Sequence, residues 1–167
     1  VSTPAIGVGL RYETGLILPA AGAVAVPVSE RFFNGGENTV RSFQQSELGP
    51  VDEAGQPTGG LAYNVLSVEL RQRIIGNFIG TVFLDLGNVA PNRTPSEQGR
   101  SVYDSRSRII SDTLSDYFKD VRPGVGFGLQ YLLPVGPARL DLAFNPDRDS
   151  QRDEERFALH FSVGMAF

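Results

Sequence analysis

Strict period-two alternation is the feature that most constrains this chain. Over 157–167, Phe157, Leu159, Phe161, Val163, Met165 and Phe167 are apolar, and Ala158, His160, Ser162, Gly164 and Ala166 stand between them. Successive side chains of a strand point to opposite faces of its sheet, so such a run is a strand with two unlike sides. The same pattern predicts strands over 5–17, 62–74, 78–89, 121–133 and 138–145. In the first, Ile6, Val8, Leu10 and Tyr12 oppose Gly7, Gly9, Arg11 and Glu13. In the second, Leu66, Val68, Leu70 and Ile74 oppose Ser67, Glu69, Arg71 and Arg73. In the third, Phe78, Val82, Leu84 and Leu86 oppose Thr81, Phe83, Asp85 and Gly87. In the fourth, Val125, Phe127, Leu129 and Tyr131 oppose Gly124, Gly126, Gly128 and Gln130, and in the fifth Leu140, Leu142 and Phe144 oppose Arg139, Asp141 and Ala143.

Two properties of this set bear on the class. The apolar faces are continuous, while the other faces carry charge and glycine. A soluble sandwich also alternates, but its wet face seldom needs Gly124, Gly126 and Gly128 in one row; an inner wall with something packed against it does. The predicted connections also alternate in length. Those after the second strand (75–77) and the fourth (134–137) are short, and the others are long. Outer-membrane barrels have short periplasmic turns and long outer loops. The fold class expected is therefore all-β, an antiparallel transmembrane barrel. No apolar run reaches the roughly 20 residues of a spanning helix, but a spanning strand needs only about 9–11. In the long polar stretch 90–120, Ser111 to Lys119 suggests a helical turn or two, capped by Ser111 or Asp112.

Composition excludes several chemistries. The chain has 167 residues and a net charge of −4, with scattered basic residues; nucleic acid would call for a basic stripe. There is no cysteine, hence no thiolate chemistry and no disulfide frame. His160 is the one histidine and reads as an inward hydrogen-bonding residue. Gly124-x-Gly126-x-Gly128 lacks the helix and acidic residue of a nucleotide fingerprint. Asp147, Asp149 and Asp153 do not have the spacing of a calcium loop and read as a solvated outer loop. No catalytic residue, metal or cofactor is expected, and the protein is read as not an enzyme. The opening VSTPAIG has no initiator methionine, as in a processed chain or a piece of a longer one.

The segment 31–43, RFFNGGENTVRSF, is too polar for a strand core and too aromatic for an idle surface loop. Phe32 and Phe33 are apolar anchors, Gly35 and Gly36 a turn, and Arg41 the charge near its tip. It reads as a loop folded back into the barrel, with Arg41 seeking an acidic partner on the inner wall. Strand parity places Asp85 and Glu69 on that wall, where a lone carboxylate needs a partner. Arg71 and Arg139 on the wall itself are the competing partners.

These motifs together resemble the C-terminal barrel portion of the BamA/TamA superfamily, the outer-membrane assembly and two-partner secretion barrels of the bacterial surface antigen family. RFFNGGENTVRSF is similar to the family's inserted loop, with Val40, Arg41, Ser42 and Phe43 at the motif that usually ends in arginine, glycine and an aromatic. Ser42 stands in place of that glycine. Thr58 to Gly60 with Glu69-Leu70-Arg71, then Phe83 to Gly87, Gly124 to Gly128, Pro134 to Pro137 and Arg139-Leu140-Asp141 follow in family order. The ending resembles the C-terminal signal of outer-membrane proteins, with Phe161, Val163, Gly164, Met165 and Phe167 carrying it. The resemblance implies that 1–167 is the C-terminal part of one barrel domain, with 31–60 the inserted loop and 90–120 a long outer loop. Since natural single-chain barrels start at about eight strands, six imply a fragment, with about ten missing if the family is followed. The resemblance implies an Arg41–Asp85 pair, with Glu69 as second acceptor. It implies the bacterial outer membrane, lipid contact, client outer-membrane or secreted proteins, upstream strands and periplasmic domains. The implied function is non-enzymatic assembly, insertion or translocation. The alternatives are a two-partner secretion pore, a passive porin-like barrel, or a soluble β-module binding through its apolar face.

Overall fold

The computed structural model describes residues 6–18, 26–91, 96–97, 100–101, 106–134, 136–152 and 154–164. In chain order the strands are β1 (Ile6–Leu16), β2 (Gly60–Ile75), β3 (Phe78–Pro91), the short β4 (Ser96–Glu97) and β5 (Arg100–Ser101), then β6 (Arg122–Leu133), β7 (Gly136–Phe144) and β8 (Phe157–Val163). One helix, α1 (Arg106–Ser115), precedes β6. Six strands form a single antiparallel sheet in the order β1-β2-β3-β6-β7-β8, and β4 pairs only with β5. Every neighbour in the large sheet is thus the next long strand in sequence. β1 and β8 are its edges.

The sheet inverts the usual sorting of residues. Val8 (71% exposed), Phe127 (61%) and Phe161 (66%) stand in the open, whereas Asp85 (0%), Glu69 (1%) and Arg139 (4%) are buried. Large exposed apolar surface with charge inside is the informative departure from a soluble domain. It follows the parity of the sequence over the middle of the strands, whereas Asn64 and Asn88 share the outward parity of Leu66 and Leu86 and are buried. The inner face has small or flat apolar residues among its charges: Val65, Phe83, Ala143 and Ala158 are buried there.

What covers the inner face is the connection between β1 and β2. Its entrance is clasped by Arg31, which donates from Nε and Nη2 to the Val26 carbonyl (3.0 and 2.9 Å) and from Nη1 to the Thr58 carbonyl (3.0 Å). Phe32 exchanges both backbone hydrogen bonds with Gly60 at 2.9 Å and packs on Tyr63, ring centroids 4.7 Å apart. Beyond this the segment makes its own small core of Val40, Phe43 and Leu48. The turn at Gly35 needs glycine: its φ is +102°, and a Cβ there would lie 2.5 Å from the Gln44 carbonyl oxygen.

The helix begins earlier than the sequence suggests. Ser111 and Asp112, expected as caps, lie inside α1, and the chain leaves the helix after Ser115 as a series of turns to Asp120 at φ +54°. The turns after the helix are held by the sheet. Asn64 Nδ2 donates to the Tyr117 carbonyl (2.7 Å), and Asn88 Nδ2 donates to those of Tyr117 (3.0 Å) and Lys119 (2.7 Å). Side chains of β2 and β3 thus satisfy carbonyls of the turns that follow the helix. This part of 90–120 is thus tied to the sheet.

Candidate functional site

Arg41 sits at the loop tip, 3% exposed, over the inner wall. β3 supplies Asp85, β2 Glu69 and Arg71, and β7 Arg139 and Asp141, all on the inward parity of their strands. Arg41 grips Asp85 with a two-pronged fork, Nε to Oδ2 and Nη2 to Oδ1, both 2.7 Å. Its backbone N–H donates to the same carboxylate at 3.1 Å. The third nitrogen, Nη1, donates to Glu69 Oε1 and lies 3.5 Å from Asp141 Oδ2. The guanidinium carbon lies over the ring of Phe83, 3.5 Å from its centroid, a cation–π contact.

The wall's own arginines complete the cluster. Arg139 donates to Glu69 at 2.7 Å and to Asp141 at 2.5 Å. Arg71 reaches the other Glu69 oxygen at 2.6 Å. Three carboxylates therefore face three guanidinium groups, and the charges balance only with Arg41 in place. Burial alone would weaken the guanidinium of Arg41 as a base. The hydrogen bond and charge of Asp85, followed by those of Glu69, more than offset this, and its pKa is raised.

Room for the tip is made by glycine. A Cβ on Gly124 would run into the side chain of Ser42, and one on Gly87 would meet Val40. Gly126 and Gly128 instead clear the wall side chains Phe83 and Asp141. The glycine row, expected to clear the loop, does so at Gly124 alone. Ser42 needs no positive φ; its side chain fills the niche over Gly124, where a glycine would leave space.

A second ion cluster lies beside β6. Arg122 donates to both oxygens of Glu154 (2.6 and 2.8 Å) and to Asp147 at 3.3 Å, and it covers the ring of Phe43 at 4.7 Å. Glu154 is 1% exposed. The loop 146–156, whose aspartates were expected to be solvated, thus holds a buried carboxylate, Glu154, that ties it to the sheet and, through Arg122 and Phe43, to the inserted loop. Asp149 pairs with Arg152 at 3.4 Å, and Asp153 lies outside the described residues.

A family model described as the Omp85 superfamily domain matches residues 2–167. The chain belongs to the Omp85 superfamily. It is 26% identical over 155 residues to the outer membrane protein assembly factor BamA of Neisseria meningitidis serogroup B, covering 85% of this chain and 19% of that protein. It is 29% identical over 136 residues to the chloroplastic outer envelope protein 80 of Arabidopsis thaliana, covering 81% of this chain and 15% of the relative. This Omp85 chain thus spans less than a fifth of the length of either. Its fold is similar to the crystal structure of BamA from Haemophilus ducreyi lacking POTRA domains 1–3, with TM-score 0.68 and 20% identity over 92% of this chain and 30% of that one.

Of the site residues read from the sequence, Arg41, Asp85 and Glu69 meet at the wall. Val40, Ser42 and Phe43 are buried around the tip, Phe32 and Phe33 are half-buried, and Gly35 and Gly36 form the turn before it. Phe161 and Val163 are not part of this site: they point outward from the edge strand β8, with Gly164 just after it. Met165 and Phe167 lie outside the described residues. Sequence reasoning named Arg139 only as a rival partner and did not place Asp141 or Phe83 in the cluster. All three share the inward parity of Asp85 and Glu69, and that was the available signal. Asn34, which donates to the carbonyls of Asn64 and Asn88 at 3.4 Å, had none.

Proposed function

We propose that this chain is the C-terminal part of an outer-membrane barrel that assembles, inserts or translocates β-barrel or secreted proteins, without covalent chemistry. The observation that carries this reading is the seated loop: a long insertion between β1 and β2 brings one arginine into a wall socket whose charges need it. A passive pore gains nothing from filling its lumen in this way, and a soluble module would not expose the apolar face of all six strands. In this reading 31–60 is the inserted loop, 90–120 an outer loop, and the sheet continues beyond β1 into strands contributed by the rest of a longer protein. The outward faces meet lipid, and the edge β8 offers unpaired backbone groups to a client strand. A two-partner secretion pore of the same superfamily remains the second reading, since it would use the same seated loop.

The test is a cysteine pair at 41 and 85 in the full-length protein in its membrane, with assembly of outer-membrane proteins and secretion of a partner protein measured separately. Efficient crosslinking, with loss of assembly on Arg41→Ala, is the expected result. Loss of secretion with intact assembly would select the pore, and loss of neither would overturn the proposal.

A further inference from the structure

The tip of the inserted loop is held by its backbone as well as by its charge. His160 Nε2 lies 2.8 Å from the carbonyl oxygen of Arg41. A carbonyl only accepts, so the imidazole donates, and its proton is fixed on Nε2. His160 lies on β8, the edge of the sheet, opposite Asp141 in the β7–β8 register. Among the described residues β8 runs over Phe157–Val163 and pairs with β7 alone, whereas β2 and β3 have sixteen and fourteen residues and are paired on both sides. Local opening is easiest at such an edge. The outward residues of β8 — Phe157, Leu159, Phe161 and Val163 — are all exposed, so they do not hold it to the loop. Inward, Ala158 has no polar side chain.

We propose that His160 is a positioning residue that latches the edge strand to the loop tip, so that withdrawal of the seated loop frees β8. The inference deepens the proposed function and rests on the loop being seated. Arg41 thus has two separable roles. Its side chain holds the tip to β2, β3 and β7, while its carbonyl holds β8. Peeling of β8 from β7 breaks the His160 bond without touching the fork on Asp85. Withdrawal of the tip breaks both.

The test is hydrogen exchange of the β8 amides in the full-length protein in lipid, for the wild type, His160→Leu and His160→Gln, each also carrying Arg41→Ala. His160→Leu is expected to speed exchange over 157–163 about fivefold, the worth of one ordinary hydrogen bond. His160→Gln, which keeps a donor, is expected to stay nearer the wild type. Arg41→Ala, which displaces the tip, is expected to speed exchange in the wild-type background and to add little to His160→Leu, because the latch is already open. A cysteine pair at 41 and 85 leaves the main-chain carbonyl in place and is expected to crosslink in all three His160 backgrounds. If β8 exchange is the same with leucine as with histidine, or if the two substitutions add in full, the latch is overturned. If the 41–85 crosslink fails in the wild-type background, it is the seated loop itself, and with it the proposed function, that fails.

Discussion

Removing Arg41 and removing Asp85 are not equivalent perturbations. Asp85 is fully buried, and both of its oxygens are met by the fork of Arg41. With Arg41→Ala its remaining partner among the contacts described is the backbone N–H of residue 41. Glu69 keeps Arg71 and Arg139, and Asp141 keeps Arg139. The cost therefore falls on one orphaned carboxylate, and about 3–5 kcal/mol is expected from breaking a buried pair on one side. With Asp85→Ala, Arg41 still has Glu69 and lies near Asp141, so a loss of about 2 kcal/mol, the scale of a charged hydrogen bond, is expected. The double variant removes the orphan along with its cause. It is expected to be more stable than Arg41→Ala alone, which is a strong positive coupling. Arg41→Lys keeps a charge but not the planar fork or the guanidinium contact with Phe83, and is expected to recover only part of the loss. The assay is urea unfolding of the full-length protein in lipid, followed by circular dichroism and extrapolated linearly. Additive costs, or an Arg41→Ala cost under about 1 kcal/mol, would mean that the socket is wet and behaves as a surface pair.

Three further perturbations test the packing around that socket. Gly124→Ala is expected to cost about 1–3 kcal/mol by overpacking and to lower 41–85 crosslinking, because the new methyl meets Ser42; combined with Ser42→Gly it should be nearly neutral, and failure of that rescue would show that the clash lies elsewhere. Phe127→Arg, on the outward face, is expected to destabilise the barrel in lipid by about 2–4 kcal/mol if it lies near the midplane, whereas a water-facing surface would tolerate it in the same unfolding assay. Asn88→Leu removes the donor to the Tyr117 and Lys119 carbonyls and is expected to make the 106–120 segment several-fold more sensitive to added protease, with the 41–85 crosslink unchanged.

The faces of the strands were legible because alternation is a local property: each residue's side follows from its parity, and no long-range information is needed. Arg41, Asp85 and Glu69 could be proposed as a set because each is a charge placed where only a partner makes it tolerable. The same logic placed Arg139 and Asp141 on the wall, but parity says which face a residue occupies, not how far along its strand a partner stands. That distance is set by register, and the register of β7 against β6 and β8 is a tertiary fact. The helix was misplaced for a related reason. The expected caps lie inside the helix, and the turns after it are held by Asn64 and Asn88 of β2 and β3, which no capping rule applied to 106–120 could include. Glu154 gave no signal of its own, because its partner Arg122 comes 32 residues earlier.

Those separations also bear on when the socket forms. The partners of Arg41 lie 28, 44 and 100 residues away along the chain, and His160 lies 119 away. Contacts so distant form late, since the entropy of closing the loops must be met before they reward it. The tip has nothing to bind until β2, β3 and β7 have paired in the correct register. A slip of one residue in any of them turns its acid to the outward, apolar face. The ion cluster thus acts as a gauge of assembly: a seated Arg41 records that three separate strand alignments, made at different times, all came out right.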